Sequence, residues 1–175
     1  MTFISFFALI LIAPIPIIHF VLHGFLSFWR RHPTWFYMMG VITWLLFIPL
    51  VVVLMKVEGT VFTPAILSLI ISTALTIFAL LLIVSAVFTI GPKRFFLWAV
   101  LKPKAVEQKY IRSGPYRFIS HPAYFGYILI SHAAFLATGR MVMLGLFIYT
   151  LFSIIAVIAL ENHEIKGRLK IEAGS

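Results

Sequence analysis

Hydrophobic positions in this chain come in long unbroken runs, and the polar positions gather in short clusters between them. The runs cover about Phe3–Phe28, Trp35–Met55, Pro64–Ile90, Pro122–Thr138 and Met141–Leu160. Runs of this length predict membrane-spanning helices, not the alternating ten-residue segments of a membrane β-barrel. Pro14 and Pro16 should kink the first span. Trp35 and Tyr37 open the second as interfacial anchors. The third makes about 40 Å of helix at roughly 1.5 Å per residue, so it must tilt or protrude before Gly91-Pro92 ends it. Gly139-Arg140 is a very short turn, which makes the last two spans an antiparallel helical hairpin. The stretch Phe95–Leu101 is apolar and aromatic and should lie in the interface. The tail after Leu160 is charged and should continue as helix.

Composition agrees with that pattern. Of the 175 residues, 62% are hydrophobic and 11% charged, with no Cys. A soluble domain carries about 25% charged residues, so the class is an all-α, polytopic membrane protein. Disulfide and thiolate chemistry are excluded. The first run is too long for a signal-peptide core and lacks a small-residue cleavage site, so it reads as a retained span. One domain is expected over 1–175, with three spans in 1–90 and a loop, hairpin and tail in 91–175.

The net charge of +9 would suggest nucleic acid in a soluble protein. Here Lys and Arg lie in short loops, where they set orientation and meet anionic headgroups. The loops after spans one and three and the tail hold nearly all of them. The loops after spans two and four have only Lys56 and Arg140. Five spans with the N-terminus outside and the C-terminus cytosolic satisfy every loop. The membrane would be the inner membrane of a bacterium or the endoplasmic reticulum of a eukaryote.

The candidate chemistry lies in Arg112-Ser-Gly-Pro-Tyr-Arg-Phe-Ile-Ser-His-Pro-Ala-Tyr-Phe-Gly126, at the junction of the basic loop and span four. Pro122 suits a first helical turn. That places His121 at the cap with Tyr124 three residues on, beside N–H groups that favour an anion. Gly126 permits close approach of a helix or ligand. Glu161 and Glu164 share one helical face and can meet His121 and Tyr124 across the hairpin. The same residue types would also serve as interfacial anchor, helix cap and a solvated tail pairing with Lys166 and Arg168. His19 and His23, at i, i+4 in span one, are candidate haem or metal ligands. Ser68, Ser72 and Thr76 form a polar stripe of the kind used in helix packing.

Gly114-Pro-Tyr-Arg-Phe-Ile-Ser-His121-Pro-Ala-Tyr124-Phe-Gly126, followed by paired Glu after a helical hairpin, resembles the isoprenylcysteine carboxyl and phospholipid methyltransferase superfamily. The resemblance covers about Lys109 to Gly174. It implies S-adenosylmethionine bound at the cytosolic edge. By that resemblance, Gly114, Tyr116, His121, Pro122 and Tyr124 would line the pocket with Tyr110 and Ile111, and Glu164, or else Glu161, would contact the cofactor. His121 and Glu164 would be the catalytic pair, and a lipid-like acceptor would enter sideways from the membrane. Two departures bear on the acceptor. Ser120 stands where the family has Arg, and no Arg precedes Glu161 by one turn, where prenylcysteine enzymes hold the substrate carboxylate. Other readings are an NADPH-dependent reductase related to sterol reductases, or a non-catalytic or haem-handling protein built on His19 and His23.

Overall fold

The computed structural model describes residues 3–54, 56, 59–106 and 111–173, with side chains described from 4 to 164. It is helical throughout. Helix α1 (Phe3–Ile12) leads into α2 (Pro14–Gly24), and α3 (Leu26–Arg31) turns into α4 (Pro33–Leu54). After α5 (Ile66–Ile90) come two short helices, α6 (Pro92–Phe95) and α7 (Trp98–Leu101), and two 3-10 turns at Pro103–Ala105 and Gly114–Arg117. The hairpin is α8 (Pro122–Thr138) and α9 (Met141–Ala173).

The expected kink falls at Ala13, between α1 and α2. Pro14 has no N–H to give the Ile10 carbonyl. The Trp44 indole of α4 donates to that oxygen instead, at 2.9 Å. Tyr149 of α9 donates to the Ala13 carbonyl, also at 2.9 Å. The break therefore docks the first span onto two others, because in hydrocarbon each freed carbonyl needs a protein donor.

Helix α8 packs most extensively against α5, and small residues make this possible. A Cβ on Gly126 would lie 2.6 Å from Ile83 Cγ1 and 3.1 Å from the Ala79 carbonyl. Ser72, from the polar stripe, donates across to the Ala133 carbonyl at 2.8 Å. Gly139 closes α8 in the left-handed region, with φ +59, and a Cβ there would collide with the Phe62 carbonyl. Val61 N–H donates to Gly139 O at 2.7 Å, so the loop after α4 clasps the hairpin turn.

Among the described residues, four segments of 18 or more residues are apolar enough to cross a membrane: Ile4–Gly24, Pro33–Leu54, Ile66–Ile90 and Met141–Glu164. The remaining span expected, Pro122–Thr138, forms as α8 with those bounds but is shorter than these four. Helix α8 has 17 residues, about 25 Å of helix, against a hydrocarbon core of roughly 30 Å. It tolerates the deficit because it is packed between α5 and α9 rather than bathed in lipid. The outer helices are the reverse. Leu46, Ile66 and Phe88 are largely exposed, as lipid-facing side chains of an integral membrane protein must be.

The tight α5–α8 contact gives a prediction. Gly126→Val should cost about 1–3 kcal/mol by overpacking against Ile83, read as a lowered Tm in detergent. An unchanged Tm would show that the two helices part freely.

Candidate functional site

His121 stands at the start of α8. Its backbone precedes the first turn of α8 and its carbonyl accepts from Phe125 N–H at 3.1 Å. The imidazole makes no capping bond. It faces α9, with Nε2 at 3.0 Å from Asn162 Oδ1 and Nδ1 at 3.6 Å from Glu161 Oε2. Tyr124, one turn on, stacks on the His121 ring with centroids 5.5 Å apart. The Tyr124 ring meets His19 edge-to-face, with centroids 5.3 Å apart. Tyr124 also lies within the hydrogen-bonding reach of Glu161.

Glu161 is the electrostatic centre. Tyr116, in the 3-10 turn before α8, has its hydroxyl pushed up to about 12 by burial first and then by the Glu161 charge. It stays protonated at neutral pH and remains a donor. Gly114 adopts φ +54 and is wedged against Thr89 of α5, with 2.5 Å from a built Cβ to Thr89 Oγ1. This positive φ fixes the turn that carries Tyr116. Pro122 is fully buried and Ile111 half-buried. Tyr110 lies outside the described residues.

The two acidic residues diverge. Glu161 meets His121 and Tyr124 as the spacing suggested. Glu164 turns instead to the N-terminal segments, where His23 Nδ1 lies 2.9 Å from Oε2 and Arg30 Nη2 donates to Oε1 at 3.0 Å. Arg30 Nε also donates to the Val100 carbonyl at 3.1 Å, an oxygen left over by the last turn of α7. Arg30 thus ties α3, α7 and α9 together. Asn162, Arg30 and the bond from His23 to Glu164 were not singled out from sequence. Asn162 sits between two Glu with no motif to mark it, and His23 and Arg30 are distant in the chain from the residues they hold.

Among the described residues, three buried side-chain atoms have no hydrogen-bond partner: His23 Nε2, Thr150 Oγ1 and Glu161 Oε2. Thr150 lies about three turns of α9 from the cluster. The other two belong to it. No group of three or more His, Cys, Asp or Glu among the described residues is arranged to hold a metal ion.

Beside the cluster, a groove of about 950 Å³ opens between α1, α2, α4, α5 and α8. It runs from Ile4 and Ala137 at its far end to His19, Tyr127 and Phe95–Leu97 at the site end, and its wall is almost wholly apolar.

A membrane-embedded helical hairpin, a carboxylate cluster at its polar end and an apolar groove beside it define an integral membrane protein that works where oil meets water. The phospholipid methyltransferase family profile matches residues 67–166, more than half of the chain, and the chain belongs to that family. Membership places it among membrane methyltransferases with lipid-like acceptors. No curated protein and no solved structure matched the chain.

The unequal pairing of the two carboxylates predicts unequal effects on stability. Glu164→Gln weakens charge-assisted bonds worth about 1.5–3 kcal/mol and should lower Tm. Glu161→Gln relieves a carboxylate oxygen buried without a partner, so Tm should hold or rise. Thermal unfolding of both variants checks this, and equal losses would overturn the distinction.

Proposed function

We propose that the protein transfers the methyl group of S-adenosylmethionine to a lipid whose headgroup sits at the cytosolic face of the membrane. The observation that carries this reading is Glu161 Oε2, a buried oxygen with no hydrogen bond, His121 Nδ1 standing off at 3.6 Å and Tyr124 and Tyr116 beside it. A buried acceptor oxygen without a donor is costly. The hydroxyls and ammonium group of S-adenosylmethionine are donors of the kind it lacks, so the residues present fit the cofactor.

Glu161, His121 and Tyr124 would hold the cofactor, with Pro122, Tyr116, Gly114 and Ile111 enclosing it and Tyr110 extending that strip. Glu164 takes a supporting role in this reading, because His23 and Arg30 engage both of its oxygens. The cofactor supplies a sulfonium methyl that is already activated. What remains for the protein is to align an acceptor and exclude water. The stacked rings of Tyr124 and His121 form a rigid wall against which the cofactor would be aligned. Phe95–Leu97 and Tyr127 close the site end of the groove, where the acceptor's headgroup would stop. Its tails would lie along Leu11, Ile15, Val41 and Ile130.

Orientation supports the cytosolic side. Arg30, Arg31, Lys93, Arg94, Lys102 and Lys104 all lie at the end of the bundle that holds His121, and positive loops face the cytosol. Lys102 sits over the Trp98 ring at 5.1 Å, a pairing suited to the headgroup level.

Calorimetric binding of S-adenosylmethionine and its demethylated product tests the reading. Micromolar binding is expected, weakened at least about tenfold by His121→Ala and by Glu161→Gln, which each remove one charge-assisted or stacking contact. A folded wild-type chain that binds neither compound would sink it.

A further inference from the structure

The groove wall contains few polar side chains, and nearly all are spent inside the protein. Ser72 donates to Ala133 O, Thr73 to Leu69 O and Thr76 to Ser72 O. Tyr37 donates to Phe96 O and Trp44 to Ile10 O. Two polar groups on the wall are left without such a commitment: the Tyr127 hydroxyl and His19 Nε2. Both are at the site end.

His19 is the one that can accept a proton. Its Nδ1 lies 2.9 Å from the Ile15 carbonyl. A carbonyl only accepts, so Nδ1 carries the hydrogen, and in the neutral ring the lone pair is on Nε2. The bond to Ile15 also fixes the ring's orientation. The ring lines the groove and also meets Tyr124, with centroids 5.3 Å apart. His19 therefore stands between the place proposed for the acceptor and the place proposed for the methyl donor. The groups facing it are Glu161 and His23, with Tyr124 packed against its ring.

We propose that His19, which lies outside the matched region, is the general base that takes the proton from an acceptor bearing an ammonium headgroup. The inference rests on the methyl-transfer reading above. An alkyl ammonium, with a pKa near that of Lys at about 10.4, has no lone pair at neutral pH. A carboxylate acceptor would need no base at all. The proton on nitrogen passes to His19 Nε2, which frees the nitrogen pair. The N–C bond then forms as the donor's C–S bond breaks, with that electron pair leaving on sulfur. Each turnover releases one proton, which His19 gives up to water through the polar cluster around Glu161.

The test uses the full chain in vesicles of phosphatidylethanolamine with radiolabelled methyl donor, comparing wild type with His19→Gln. At pH 7 the variant should lose about 10²-fold or more in kcat, with KM changed less than about threefold. Its rate should climb with pH toward the amine's own deprotonation, and added imidazole should restore part of it. Affinity for the demethylated cofactor should be unchanged, which shows that the variant is folded. A second readout is independent of turnover. In wild type labelled with ¹⁵N-histidine, the His19 Nε2 resonance should move toward the hydrogen-bonded form in phosphatidylethanolamine discs and not in phosphatidylcholine discs. A variant that binds the demethylated cofactor and retains wild-type kcat and pH profile would overturn the proposal, as would an Nε2 resonance that ignores the headgroup. Neither result would touch the methyl-transfer reading, which fails only if wild type does not bind the cofactor.

Discussion

Hydrocarbon offers no hydrogen bonds, so every polar atom this chain carries into the membrane must be satisfied by the chain itself. Much of the architecture follows from that constraint. Pro14 frees a carbonyl, and Trp44 comes from α4 to meet it. Tyr149 reaches the Ala13 carbonyl from α9. Trp29 donates to Val21 O across the α2–α3 bend at 2.9 Å. Each of these bonds joins the backbone at a helix break to a side chain placed elsewhere, so the breaks become docking points. Against that background an unsatisfied atom is informative. The Glu161 oxygen and the His23 nitrogen that lack a hydrogen bond belong to the polar cluster at the mouth of the hairpin, and this marks the cluster as the candidate site.

The hairpin converts the same constraint into geometry. Helix α8 is short, and its start is anchored by Gly114 against Thr89 and its end by Gly139 against Phe62. Gly126 lets it sink onto α5. With both ends and one face fixed, the register between α8 and α9 has little freedom. Glu161 and Asn162 then fall opposite His121. A change of one residue in the turn at Gly139 would rotate α9 by about 100° and carry Glu161 away from the ring it faces.

Much of this was legible in the sequence, for a physical reason. Spans, the hairpin and the polar cluster at its mouth are local patterns, set by hydropathy, Pro, Gly and i, i+3 spacing. The Gly114–Gly126 stretch could be read because its turn and helix start are encoded within a few residues. What could not be read are pairings across distant segments. The two Glu share a helix face, yet that face is divided between α8 on one side and α2–α3 on the other, and no periodicity tells which carboxylate meets which neighbour. The bounds of α8 were legible too, but not its burial between α5 and α9, because hydropathy reports apolarity and not whether lipid or protein supplies the surroundings.

The division of labour between the halves of the chain follows from these pairings. The family match covers 67–166, which includes Tyr116, His121, Tyr124 and both Glu. His19, His23 and Arg30 lie before it. The N-terminal segments therefore contribute two things from outside the matched region: the partners that hold Glu164, and about half of the groove wall, from Ile4 to Trp44. Glu161 and Glu164 are less than one turn apart on a continuous helix, so the grip of His23 and Arg30 on the second restrains the first. The polar cluster is built around the hairpin, whereas about half of the groove wall comes from the N-terminal segments, so the two can vary separately. Substitutions along α1, α2 and α4 can reshape what the groove admits while the Glu161–His121 pair stays where the hairpin puts it.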